Sequence, residues 1–270
     1  MSGMFSTRVI ALMPVAIAIN IVLGYIVQSV LKLPIYLDSI GTILVGVLAG
    51  PIVGAATGAL TNIIWQLTGI TPNIGPFAIT AAVIGFLAGM WGRLGVYRSR
   101  PASGSQLIMS AVVAAALIAL VVVPIVNNPA YTDPNIGGYP SWVYTAAVVI
   151  ATIAAIVVAA FIYLRRDLAG LWVAGAGVAT GIVAAVVSAP IAAIVYGGVT
   201  GGGTDLLVAA LRQGGADVMS ASLGQGLFSD PIDKTITSFV VFIVLAGLSP
   251  RLLARFPNGD RLTPAPSTAA

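Results

Sequence analysis

The chain has 270 residues, of which 59% are hydrophobic and 7% charged, with a mean hydropathy of +1.05. No soluble core needs that much apolar surface over its whole length, so the composition points to a lipid bilayer as the natural solvent. The absence of histidine and cysteine excludes disulfides, cysteine redox chemistry, His- or Cys-ligated metal sites and histidine acid–base catalysis, and the 12 Lys and Arg are scattered around apolar runs in a pattern that fits membrane orientation better than nucleic-acid binding.

Apolar runs cover about 8–30, 39–49, 51–67, 76–92, 106–126, 141–164, 168–196 and 232–249. The first follows Arg8, has no small-residue cleavage site, and is about twice as long as the apolar part of a signal peptide; it reads as a membrane helix. The second is too short to cross a core of about 30 Å at about 1.5 Å per residue. It must borrow flanking residues such as Tyr36 and Asp38, or sit partly re-entrant among its neighbours. Gly50-Pro51 either turns the chain back or kinks one helix spanning 38–67.

The distribution of charge decides between these. If Gly50-Pro51 is a turn and the N-terminus is inside, Arg8, Arg93, Arg98, Arg100, Arg165, Arg166, Arg251, Arg255 and Arg261 all face the cytoplasm. Only Lys32, Arg212 and Lys234 face out, together with Asp38, Asp133, Asp205, Asp217, Asp230 and Asp233. A single kinked helix would split the arginine clusters between the two sides. The expected architecture is therefore an all-α membrane bundle, residues 1–257, of about eight embedded segments with both termini cytoplasmic. A Pro/Thr/Ala-rich tail, 258–270, is expected to be disordered. The outer loops are 31–38, 68–75, 127–140 and 197–231, and long outer loops place recognition outside. In the last of them, residues 205–211 are expected to form a short helix between Gly-rich hinges; Thr200 and Asp205 are candidate lid residues.

Small residues recur four apart at Gly46, Gly50, Gly54 and Gly58, at Gly85 and Gly89, and from Gly177 through Gly181 to Ala193. Such rows let helix backbones approach closely, and internal packing is the expected use. Asn20, near mid-depth in the first run, is expected to make an interhelical hydrogen bond. Asn62, Trp65 and Gln66 fall at i, i+3 and i+4 at the outer end of the third run. There an indole can stack on a flat ligand while the amides bond its edge. Tyr36, Asp38 and Asn73 on neighbouring outer loops complete the expected pocket. For Asp38 the alternative is an N-cap. Residues 229–234 read as a helix start, with Asp230 as N-cap, Pro231 at N1 and Asp233 at N3. Lys234 either pairs locally or meets an anionic solute. No G-x4-G-K-[ST] loop is present, so ATP-driven transport would need another chain. No helix carries paired mid-membrane carboxylates, which argues against a proton pump.

The stretches GPIVGAATGALTNIIWQL (50–67) and TGITPNIGPFAITAAVIGFLAG (68–89), preceded by the acidic loop, resemble the substrate-binding S components of energy-coupling factor (ECF) vitamin transporters. SAPIAAIVYGGVTGGGTDLL and SDPIDKTITSFVVFIVL resemble the last two helices of S components of unassigned substrate. The resemblance implies a six-helix core that captures a vitamin-like solute from outside and is not an enzyme. Such a subunit docks on a membrane T component bearing two ATPase subunits. It needs no cofactor or metal, binds no nucleic acid, and resides in the cell membrane. Two departures stand out. The extra pair, 106–126 and 141–164, reads as an insertion (106–164). Ala11, Ala16 and Ala18, the candidate docking residues on the first helix, lack the family's Ala-x3-Ala spacing. The alternatives are a self-sufficient secondary transporter, which would need coupling groups at mid-depth, and a membrane sensory domain, which would usually carry a cytoplasmic output domain.

Overall fold

A computed structural model describes residues 6–71, 73–101 and 141–263, together with isolated positions between 104 and 119. The expected span 106–126 lies largely, and the outer loop 127–140 wholly, outside the described residues. Helix α1 is Thr7–Gly24 and runs on as a π-helical turn, Tyr25–Val30. Then follow α2 (Ile40–Ala49), α3 (Pro51–Leu67), α4 (Ala78–Arg93, led in by a 3-10 turn at Gly75–Phe77), α5 (Ser141–Arg165) and α6 (Ala169–Pro190, with a π-turn Ile191–Val195). The chain ends in α7 (Asp205–Gln213), α8 (Val218–Gly247), α9 (Pro250–Leu253) and α10 (Gly259–Leu262). No strand occurs among the described residues. Among the described residues, three helices are long and apolar enough to cross a membrane: Thr7–Val30, Gly75–Arg93 and Ala169–Val195. The outward face of α1 carries Ile10, Val15, Ile19 and Val22, each at least 38% exposed, where a helix facing water would carry polar groups.

Gly50-Pro51 is a turn. Gly50 takes φ +100°, a conformation that favours glycine, and Pro51 opens α3 at N1. A Cβ on Gly54 would meet Gly46 Cα at 2.7 Å, and one on Gly58 would meet Thr42 Cγ2 at 3.0 Å. Both pairs sum to residue number 100, as an antiparallel hairpin about Gly50 requires. Asn20 locks this hairpin to α1. Its Nδ2 donates to Thr42 Oγ1 (2.8 Å) and Thr61 Oγ1 (3.2 Å), and its Oδ1 accepts from Gly41 N–H (2.7 Å). One fully buried amide on α1 thus satisfies groups on two other helices at once.

The small-residue rows are spent on internal contacts. Gly54 of α3 and Gly85 of α4 touch backbone to backbone. Gly177 and Gly181 of α6 lie against Thr235 and Pro231 of α8, where added Cβ atoms would meet the α carbons at 2.6 Å and 2.4 Å. The main apolar core gathers Ile43, Val47, Ile84, Val173, Phe239, Phe242 and Leu245 from α2, α4, α6 and α8. Trp91 Nε1 donates to Thr180 Oγ1 (2.9 Å), tying α4 to α6.

Three expectations are corrected. The last long helix does not start at Asp230: α8 begins at Val218, with Asp217 as its N-cap accepting from Met219 and Ser220 N–H. Pro231 sits inside it, forfeiting one helical hydrogen bond, a loss the packed α6–α8 interface tolerates. The outer loop expected at 197–231 is accordingly shorter. It contains the expected short helix, as α7. The tail expected to be disordered from Asn258 is packed through Thr263. Asn258 N–H and Nδ2 donate to Leu48 O (3.0 Å) and Val47 O (2.9 Å), satisfying carbonyls that α2 leaves open at its C-terminus.

Candidate functional site

The 31–39 loop and α8 meet over one buried carboxylate. Asp233 Oδ1 accepts from Tyr36 N–H (3.1 Å) and Leu37 N–H (2.7 Å), and its Oδ2 pairs with Lys234 Nζ. Leu37 adopts φ +51°, and this left-handed step turns two successive N–H groups toward one oxygen. Lys234 also donates to Ser39 Oγ (3.0 Å), lies 3.6 Å from Asp38 Oδ1, and sits 5.7 Å from the Tyr36 ring centroid. Asp38 Oδ2 accepts from Gln28 Nε2 (3.1 Å). Gln28 comes from the π-turn that ends α1, a local widening that redirects side chains.

Above this cluster lies a cavity of about 290 Å³. Its floor and walls come from the 31–39 loop, α3, the start of α4, the end of α6 and the middle of α8; Thr200, Gly201, Gly202 and Thr204 close one side. The volume is at the small end of the range of about 300–1,000 Å³ usual for ligand sites. Phe77 lines it and stacks on Tyr196, with ring centroids 5.6 Å apart. The Tyr36 hydroxyl accepts from Gln225 Nε2 (3.0 Å). Burial, reinforced by the Asp230 and Asp233 carboxylates, raises this phenol well above its ordinary range and keeps it protonated.

Of the residues expected to contact solute, Tyr36, Asp38, Asn62 and Asn73 line the cavity. Trp65 does not. It is fully buried against Gly24 at the end of α1, and its Nε1 has no partner among the described residues. Gln66 points elsewhere too, its Oε1 accepting from Gly75 N–H (2.7 Å). Positions i+3 and i+4 lie on opposite sides of i around a helix, and here that spread separates the three side chains. Thr200 and Lys234 line the cavity, whereas Asp233 is buried behind it. Asp205 braces the covering loop, accepting from Thr200 N–H (2.9 Å) and Oγ1 (2.7 Å) and from Gly201 N–H (2.6 Å). On α1, Ala11 and Ala18 are exposed; Ala16 is buried against Gly41 and is not free to dock a partner.

Sequence reasoning missed Thr80, Ser222, Gln225 and the exposure of Asp230 to the cavity. The signal was present: Ser222, Gln225, Ser229 and Asp233 recur at three- and four-residue steps, a polar stripe on a helical face. Placing the helix start at Asp230 hid it. The hydroxyls of Thr71, Thr80 and Ser222 are buried, line the cavity and have no hydrogen-bond partner among the described residues. Buried polar atoms are rarely left so, and three facing one space mark it as a place for a polar guest. No known protein family, characterised protein or solved structure matches the chain.

Proposed function

We propose that this chain is the membrane-embedded solute-binding subunit of an ECF-type importer, working with a T component and two ATPase subunits. The observation that carries the reading is the cavity: a small, partly open space lined by buried hydroxyls that have no partner among the described residues and suit a polar ligand. The resemblance of 50–89 and of the last two helices to S components supports the same reading. In this arrangement the solute is vitamin-like and enters from outside through the 31–38, 68–75 and 197–217 loops. Both termini are cytoplasmic, and the exposed α1 face with Ala11 and Ala18 is available to the T component.

The orientation is tested by cysteine labelling, because the chain has no cysteine of its own. Gly214→Cys should react with a membrane-impermeant maleimide in intact cells, and Ala254→Cys only after permeabilisation. The reverse pattern inverts the topology.

One observation favours a second reading, a self-sufficient secondary transporter. Asp233 and Lys234 are buried in the interior of α8 beside Asp38, and ionisable groups buried between membrane helices often serve ion coupling. Reconstitution separates the two. Solute identified by mass spectrometry of the purified protein is offered to proteoliposomes. The importer reading expects retention by the chain alone and uptake only with T component, ATPases and ATP. Uptake by the chain alone, driven by an ion gradient, establishes the transporter.

A further inference from the structure

The charges in and behind the cavity wall do not balance. Asp38, Asp230 and Asp233 stand around a single ammonium, Lys234. Lys234 is committed to Asp233, Ser39 and Asp38. Asp233 is saturated by Lys234 and two backbone N–H groups, and Asp38 shares the ammonium and takes Gln28. Asp230 is different. It is 5% exposed and lines the cavity, yet no hydrogen bond or ion pair holds its carboxylate among the described residues. The covering loop does not redress this, because Lys32 Nζ is exposed and bonded to Gly201 O (2.7 Å) while Asp205 is bonded to Thr200 and Gly201.

A carboxylate so buried keeps its charge only with a partner. The Ser222 and Thr80 hydroxyls, 2% and 7% exposed, are also unpartnered and line the same cavity. The partner that suits the ionised carboxylate is a donor carrying positive charge. No group of three acid side chains able to hold a metal ion occurs among the described residues.

We propose that the cavity takes a small organic cation, a solute with a basic nitrogen that donates to Asp230 while its flat part lies along Phe77. This rests on reading the cavity as a solute site. An anion would meet the field of the three carboxylates, and a neutral isostere would leave Asp230 without a counter-charge.

The test uses three probes that share one ring: benzylamine, benzyl alcohol and benzoate, titrated at neutral pH into the purified full-length protein in detergent. Benzylamine should bind roughly ten- to hundredfold more tightly than benzyl alcohol, the worth of one charge-assisted hydrogen bond, and benzoate should not bind. In Asp230→Asn the two neutral-pH affinities should fall to within about threefold of each other, and Asp230→Glu should retain the preference. Wild-type protein that prefers benzoate or ignores charge overturns the proposal without any variant needing to fold. An undiminished preference in Asp230→Asn overturns the role of Asp230. If none of the three probes binds wild-type protein, the cavity is not a small-solute site and the reading beneath the proposal falls with it.

Discussion

Lys234→Met is expected to destabilise the detergent-solubilised protein by about 3–5 kcal/mol, the usual result of removing one partner from a buried ion pair. For a chain of this size that corresponds to a fall in melting temperature of roughly 10 °C. The physical reason is what the substitution leaves behind. Asp233 has a side chain 0% exposed and Asp38 one 18% exposed, and both depend on the same ammonium. Methionine fills much of the volume but offers no charge and no donor. Asp233 keeps its two N–H donors from Tyr36 and Leu37, which do not by themselves neutralise a buried anion.

A second substitution separates this account from simple mispacking. In Lys234→Met with Asp233→Asn, the amide Oδ1 still accepts from both backbone N–H groups while the more deeply buried of the two charges is gone, and Asp38 keeps its bond from Gln28. At least half of the lost stability should return, a coupling of about 1.5 kcal/mol or more in a double-mutant cycle. Thermal unfolding of the two single variants, the double variant and the parent measures it. Losses that simply add would show that charge is not the cause. The cycle also bears on function, because the same cluster holds the 31–39 loop on α8, and that loop supplies Tyr36 and Asp38 to the cavity.

The hairpin was legible because it left two independent marks in the sequence: a Gly-Pro pair that suits a turn, and an arginine asymmetry that makes sense only if the chain reverses there. Asn20 was legible because a lone amide in an apolar run has few choices. The start of α8 was not, because two aspartates offer the same local cap. Asp217 and Asp230 each precede a residue run able to begin a helix, and only the fit of Gly177 and Gly181 against Thr235 and Pro231 explains why the helix passes through the second. Trp65 was misplaced for a similar reason. An indole at a helix end suits an interface or a ligand equally well, and its burial depends on Gly24, a residue on another helix with no side chain to block it. The candidate site inherited both errors. Its loop residues were found from polarity, while its α8 wall was taken for a loop.

Gly85→Ala should cost about 2 kcal/mol, although the same change elsewhere in this chain should be stabilising. Alanine is the better helix former by up to about 1 kcal/mol, so any loss at Gly85 measures the contact there. The added Cβ would overlap the carbonyl of Gly54, and a Cβ on Gly54 would overlap the carbonyl of Gly85. Backbone atoms on a helix cannot swing aside as a flexible side chain can, so α3 and α4 must separate. Gly175 on α6 supplies the contrast: it is exposed, helical, and an added Cβ there would meet nothing within 4 Å. Gly175→Ala should therefore raise the melting temperature while Gly85→Ala lowers it, both read from thermal unfolding of the purified protein. The consequence reaches the site, because Asn62 on α3 and Thr80, Ala81 and Ile84 on α4 form facing parts of the cavity wall. Prying these helices apart widens the space between them, so Gly85→Ala should weaken retention of the co-purifying solute while Gly175→Ala leaves it unchanged. Equal melting temperatures for the two variants would mean that α3 and α4 do not meet through their glycines, and the cavity wall they form would have to be redrawn.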